Sequence, residues 1–459
     1  MTATAAPATG PNPGTAAEPI DSGEPALPSR AYAWTIVAIL SIAYAFSLLD
    51  RWVLTLLVQP MKASLGISDT SMGLLMGPVF SFVYIFLGLP FGWIADRYNR
   101  RNLIAVGMSF WCAMTAASGV ARTFGQLAVA RFGIGIGEAT LTPAATSIIA
   151  DSFPRTTVNS ALGVFNLGIY AGMGLSYLIG GMLLAWATTQ SATVWPVTGQ
   201  LEPWQIVFIS VGLPGLLVVA LLLAVIREPK RTKKVVAGQD VSFRACFAFV
   251  GEHIRAYAPL GVGAGAVALT GYAFNWLPTL FTRTWGWAAP EFSFYYGMIL
   301  IVLGPAGAVS SGFIANKLYA QGYKDAPFRV MCAGLPVLVI VGGLMPLAPR
   351  PEIALAMLAV AAYATSLSTS SGIASVVFAT PPRYRGRVLA LYTMTNATLG
   401  TTVGPTLVGY LSDHVFMGAD GIRYAMTTVV LGIGGTLVAF LLTGRRHYDR
   451  LVRAVEAEG

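Results

Sequence analysis

The sequence predicts an all-α membrane protein of twelve helical crossings, arranged as two six-helix bundles around a central cavity. Three observations carry this. First, the 459-residue chain is 55% hydrophobic and only 11% charged, whereas a soluble chain has about a quarter of its residues charged. Second, the apolar residues come in blocks of roughly 20–26, which at about 1.5 Å per residue cross a bilayer core of about 30 Å. Third, two short segments recur at matched places in the two halves.

In order, the crossings read at 33–58, 70–94, 102–121, 126–150, 159–186 and 204–226, then at 256–281, 292–316, 328–348, 352–380, 387–412 and 421–443. Residues 1–30 are rich in Ala, Pro and Gly and lack an apolar core or cleavage signal, so they read as a disordered tail. The first bundle is 31–226 and the second 256–443. The longest polar connection, 227–255, lies between them. Its second part, "SFRACFAFVGEHIR", reads either as a helix lying flat on the membrane surface or as a plain flexible linker. Residues 444–459 read as a second tail.

Net charge is +9, yet its distribution points to topology rather than to nucleic acid. Of the 29 Lys and Arg, 22 fall in tails and loops of one side, among them Arg97, Arg100, Arg101, Arg383, Arg385 and Arg387. Five lie on the other side (Lys62, Arg122, Arg283, Arg350, Arg423), and Arg51 and Arg131 fall deep inside crossings. Cationic loops stay in the cytoplasm, so both termini are expected there, with the chain in the inner (plasma) membrane. The cysteines, Cys112, Cys246 and Cys332, imply no disulfide framework. Neither a phosphate loop, a metal cluster nor a nucleophile triad is present in the sequence, so no enzyme, cofactor or metal site is expected. Without an ATP-binding domain, energy must come from a gradient or from exchange.

The repeats are specific. "GWIADRYNRR" (92–101) ends the second crossing, and "GFIANKLYAQG" (312–322) ends the eighth, 220 residues later. "PRTTVNSALGVFN" (154–166) and "PPRYRGRVLALYTMTN" (381–396) each enter the fifth crossing of their half. Two parallel repeats with a cavity between them imply a transporter that rocks about a midplane site.

"GWIADRYNRR" resembles the loop motif of the major facilitator superfamily between crossings two and three, and "ARFGIGIGEA" (130–139) is similar to its fourth-crossing Arg/Gly motif. More narrowly, "LLDRW", "DRYNRRNL", "RFGIGIGEATLTPAATSIIAD" and the "NWLP" of 275–278 resemble the spinster family, most strongly over residues 48–181. The chain looks like a bacterial member. Animal members of that family export sphingosine-1-phosphate or move lysophospholipids, some coupled to protons. The resemblance therefore implies the superfamily fold, a lipid-like anionic cargo, protons and membrane lipids as partners, and a monomer.

The charges inside the membrane are the informative residues. Asp50 sits roughly 7 Å outward of the middle of the first crossing, and Glu138 near the middle of the fourth. Arg131 is seven residues before Glu138, two turns away on the same face and roughly 10 Å further out. Asp50, Arg51 and Arg131 thus share an outer-half layer, with Glu138 just below. The resemblance implies that the first and fourth crossings line the cavity, so these side chains can meet. Inserting each charge costs about 2.5–3.5 kcal/mol, so such residues pair or face water. A static ion-pair clamp is the structural reading. The functional one makes Arg51 the binder of an anionic headgroup, or an exchanger of partners between Asp50 and cargo. Glu138 is then the leading proton-responsive carboxylate and Asp50 the second, because burial favours the neutral acid and arginine the charged one. Arg131 is divided between pairing with Asp50 and direct coupling.

Neutral groups complete the expected site: Asn166 and Tyr170 in the fifth crossing, Tyr272, Asn275 and Trp276 in the seventh, and Tyr392 and Asn396 in the eleventh. At the inner end, Asp96, Arg97, Arg101 and Arg385 are the candidate gate. The resemblance implies that Asp96 faces the N-terminus of the eleventh crossing when that side is closed, where a carboxylate is favoured by up to ~1–2 kcal/mol. Two rivals remain open: a drug or small organic-anion carrier, and a non-transporting receptor or scaffold.

Overall fold

A computed structural model describes residues 27–154, 156–190, 194–195, 199–229, 231 and 243–458. Helix occupies every one of the twelve positions where a crossing is predicted. By length and composition alone, eight of these helices can span a membrane, including Arg30–Leu56, Pro203–Val225, Ala289–Ala320 and Pro351–Ala379. The third position holds Arg100–Ser118 and the fifth Val158–Gln190. A two-residue antiparallel pairing of Val194 with Gln200 and Trp195 with Gly199 lies in the connection after the fifth helix. The inner side is taken as the one that carries both chain ends and the basic excess.

Among the described residues five crossings lose regular helical geometry, the twelfth in a π-turn over Thr428–Gly434, and the other four breaks cluster. The second divides into Asp69–Met76 and Pro78–Arg97 at Gly77, and the fourth into Phe124–Glu138 and Leu141–Ser152. The seventh tightens to a 3₁₀ turn over Phe274–Trp276, and the eleventh widens to a π-turn over Thr398–Val403. Such interruptions in a membrane are tolerated where the backbone is covered by protein or lines a cavity. Glu138, Asn275 and Thr401 stand at three of these breaks, and Met76 flanks the fourth.

Packing differs between the two ends. The inner part of the first half has a core of its own, with Ile36, Leu40, Ile104, Trp111, Ile148 and Leu222. Its outer part shares one continuous core with the second half, in which Leu57, Met72 and Tyr177 join Trp276, Leu280 and Phe292. The two halves are therefore fused outside and separate inside, an inward-facing arrangement.

Two of the connecting and terminal segments are helical. Residues 445–458, read from the sequence as a tail, form a helix, Arg445–Glu458. Its Tyr448 is buried, stacks on Phe328 at 4.4 Å and donates its hydroxyl to the Ser375 carbonyl at 2.8 Å. Burial of Tyr448, Leu451 and Val452 is decided by what the helix meets, which the sequence of the tail alone does not give. In the linker, Phe243–Glu252 is helical and Phe249 stacks on Tyr384 at 4.9 Å. The expected N-terminal tail up to residue 26 lies outside the described residues, as do 230 and 232–242 of the linker.

Candidate transport site

The first and fourth crossings do bring their charges together. Arg51 donates Nη2 to Glu138 Oε2 at 2.6 Å, with the Glu138 side chain fully buried and that of Arg51 20% exposed. The Arg51 guanidinium also lies over the rings of Phe80, at 4.4 Å, and Tyr84, at 4.9 Å. Cation–π contact and the carboxylate thus hold it from two directions. The close approach that puts Glu138 here depends on Gly137, where a Cβ would stand 2.6 Å from the Gly107 carbonyl.

The Asp50 carboxylate has a different partner. Thr115 of the third crossing donates its hydroxyl to Asp50 Oδ2. Arg131, expected to pair with that carboxylate, instead reaches the Asp50 backbone carbonyl at 3.4 Å and lies 5.1 Å over the Phe208 ring. Arg51, expected to exchange with Asp50, is on Glu138. Asp50 Oδ1, Glu138 Oε1, Arg51 Nε and Arg131 Nε and Nη2 are all buried without a hydrogen-bond partner. Buried polar atoms are nearly always paired, so a layer in which all four charged residues keep an idle atom has partners to gain.

On the outer side of this layer the space is about 10 Å³, lined by Arg51, Trp52, Met76, Arg131, Tyr272 and Asn275 among others. That is room for about one water. Trp52 of the first half stacks on Tyr272 of the second at 6.0 Å and 17°, closing the chamber. Asn275 borders it, as expected of a site residue. Trp276 does not: it is fully buried and its Nε1 donates to the Pro405 carbonyl at 2.9 Å, so the indole holds the seventh crossing to the eleventh. Tyr392 lies elsewhere, on a cavity of about 310 Å³ with Tyr257, Val388 and Thr395. Asn166 is exposed, Asn396 donates to the Ala264 carbonyl at 3.3 Å, and the Tyr170 side chain is outside the described residues.

Further out, the halves are sealed by charges that sequence reasoning missed. Asp69, 2% exposed, takes Arg283 Nη1 and Nη2 of the seventh crossing at 2.6 and 2.7 Å, the Ser412 hydroxyl at 2.9 Å, and Lys62. Asp413, just past the end of the eleventh crossing, accepts the Thr70 backbone N–H at 2.6 Å and its hydroxyl at 2.7 Å. It therefore caps the N-terminus of the helix that begins at Asp69, the positive end of its dipole. Gly409 permits the contact: a Cβ there would lie 2.4 Å from the Asp69 carbonyl. The signal available in the sequence was an acid at each of two crossing ends on the side poor in charge.

The expected inner gate is apart. Asp96 is exposed and makes no hydrogen bond or ion pair among the described residues, while Arg97 lies over Trp93 at 4.0 Å and Arg385 donates to the Thr380 carbonyl at 3.0 Å. Arg101 belongs to a clamp inside the first half rather than to a contact between halves: its backbone N–H goes to Glu228 at 3.0 Å. The buried Arg100 anchors that clamp, reaching Glu228 at 2.7 Å and Asp151 at 2.5 Å.

A helical fold in two halves, sealed outside and parted inside around a buried ionic layer, meets its match in a family model described as Major Facilitator Superfamily, which aligns with residues 40–395. The chain belongs to the Major Facilitator Superfamily. It is thus a non-enzymatic membrane carrier. Among superfamily relatives, it is 24% identical to an "MFS-type efflux pump" of Mycolicibacterium smegmatis, over 92% of this chain and 95% of that one. It is 27% identical to "Protein spinster homolog 1" of Xenopus tropicalis, over 84% of this chain and 74% of the relative. It is 25% identical to "Sphingosine-1-phosphate transporter SPNS2" of Mus musculus, over 82% and 69%. Among solved superfamily folds, a bacterial homologue of the human lysosomal transporter Spinster, inward-facing and unoccupied, superimposes with a TM-score of 0.78 at 24% identity, covering 93% of this chain and 98% of the other.

Proposed function

We propose that the chain is a spinster-type secondary transporter that moves an amphipathic anion, of the lysophospholipid or sphingoid phosphate class, by alternating access coupled to protons. The observation that carries the reading is the Arg51–Glu138 pair, in a layer where both residues keep an unpartnered atom. With cargo absent, Glu138 neutralises Arg51. A proton on Glu138 removes that partner and frees the guanidinium fork for a phosphate or carboxylate. Departure of the anion returns Arg51 to Glu138, and the proton leaves. Asp50, held by Thr115, and Arg131 are the reserve acid and base of the same layer. The aliphatic and aromatic cavity beside Tyr392 supports an apolar tail on the cargo. The basic excess on one side supports cytoplasmic termini in an inner membrane, and the chain is taken to act as a monomer.

The relative named as an efflux pump, matched over nearly its whole length, favours a second reading as a drug or small organic-anion carrier. Proteoliposomes subjected to a pH jump separate the two when offered lysolipids, sphingosine phosphate and short organic anions. Accumulation that rises with chain length supports the amphiphile. Glu138→Gln is expected to lose the pH response, and unchanged proton-dependent transport in that variant removes Glu138 from the mechanism. No accumulation of any solute under any gradient would leave only the receptor or scaffold.

A further inference from the structure

On the inner side, where the linker helix Phe243–Glu252 turns into the seventh crossing, lies a polar cavity of about 250 Å³. It shares no lining residue with the chamber beside Arg51 or with the cavity beside Tyr392. Glu252, His253 and Arg255 form one wall. His447, Arg450 and Ala454, at i, i+3 and i+7 on one face of the C-terminal helix, form the other.

The cations of this cavity are uncommitted. The acids of the C-terminal helix that could neutralise them are held elsewhere, Asp449 by Arg453 at 2.9 Å and Glu456 by Lys324 at 3.2 Å. Among the described residues Arg450 gives only Nε, to the Arg446 carbonyl at 3.3 Å, and Arg255 meets no acid. Glu252 is the one acid in the lining, so two guanidiniums stand against a single carboxylate. The first turn of the 20-residue helix Ile254–Ala273 adds the positive end of its dipole on the same wall. His447 Nδ1 is buried there without a hydrogen-bond partner, and buried polar atoms are nearly always paired. A metal does not fit: among the described residues no three ligating groups could hold one ion, and the two arginines repel a cation.

A net positive cavity with two guanidinium forks in its lining suits the oxygens of a phosphate. We propose that this cavity binds a phosphate ester, with its phosphate on Arg255 and Arg450 and the His447 imidazole as a further partner. The headgroup of an inner-leaflet phospholipid and a free phosphate ester share this chemistry. One wall belongs to the segment that joins the two halves and the other to the C-terminal helix of the second half. An occupant therefore fastens the linker to that half and stabilises their contact by mass action. The site is independent of what the transporter carries.

The test is equilibrium binding by microscale thermophoresis of the detergent-purified full chain. Glycerol phosphate is offered in one arm and dihexanoyl-phosphatidylglycerol in the other. One-site binding is expected in at least one arm, and the arm that binds tighter names the source. Arg255 and Arg450 are both exposed, so their variants should fold. Arg255→Gln and Arg450→Gln should each weaken binding about tenfold, the worth of one hydrogen bond to a charged group. Glu252→Gln should tighten it severalfold, because it removes the like charge. The control is Arg446→Gln, exposed and one turn from Arg450 but outside the lining, and it should stay within about twofold of the parent. Absence of saturable binding in both arms, unchanged affinity in either Arg255→Gln or Arg450→Gln, or an equal loss in Arg446→Gln overturns the assignment.

Discussion

Asp69→Asn is expected to open the outer side. Both carboxylate oxygens of Asp69 are engaged by Arg283 across the two halves, at 2.6 and 2.7 Å, with Ser412 adding a third bond at 2.9 Å. Asparagine keeps the shape but takes from Arg283 the charge it meets across the two halves. Breaking a fully buried pair costs about 3–5 kcal/mol, and an exposed one about 0.2–1 kcal/mol. With Asp69 buried and Lys62 and Arg283 each about one-fifth exposed, this pair falls between, near ~2 kcal/mol. The open state lacks the contact, so the loss falls on the closed state alone and shifts the population about thirtyfold. The assay is labelling of Thr406→Cys by a membrane-impermeant maleimide, with Cys112, Cys246 and Cys332 replaced by alanine. Thr406 lies in the seam, its hydroxyl 3.3 Å from the Gly73 carbonyl. The rate should rise by about tenfold or more. A rate within about twofold of the parent would refute the claim that this pair holds the seam.

The other predictions concern the ends of the crossings and the packing beside Glu138. Burial acts to raise the Asp413 carboxyl, but the Thr70 hydroxyl and N–H outweigh it and hold it below the usual carboxylate value. Its contribution to outer closure is therefore present above about pH 4 and lost as pH falls through the lower closed-state value. Outer labelling should rise in that acid window, and Asp413→Asn should reduce the dependence to the share contributed by the Asp69 carboxylate. Gly137→Ala forces a methyl against the Gly107 carbonyl and Trp111, at a cost of about 1–3 kcal/mol, read as a lowered thermal midpoint of the purified protein. Asp96→Asn should leave the inward-facing state untouched and weaken only the inner-closed one, by up to ~1–2 kcal/mol. Inner cysteine labelling would then rise, and an unchanged rate would mean that Asp96 meets no helix end.

The mirrored acids illustrate how such a carrier switches. The chemistry expected of Asp96 at the inner end of the second crossing is present at the outer end in Asp413, which ends the eleventh crossing and caps the start of the second. In this inward-facing state the helix-end carboxylate at work is Asp413 on the outer seam, while the Asp96 carboxylate is exposed and meets no helix end among the described residues.

Composition, charge asymmetry and repeats determined the helical class and the division into two halves, because lipid leaves the backbone few options. Adjacency did not follow. Arg51 and Asp50 are neighbours in the chain, yet their side chains leave a helix about 100° apart, and only packing sent one to Glu138 and the other to Thr115. Trp276, a site residue by type, is a strut, while Arg283, read only as an outer-side charge, joins Asp69 and Asp413 in the seal. Which charges seal the outer side is a property of how the two halves lean on each other, and that contact involves residues more than 200 positions apart.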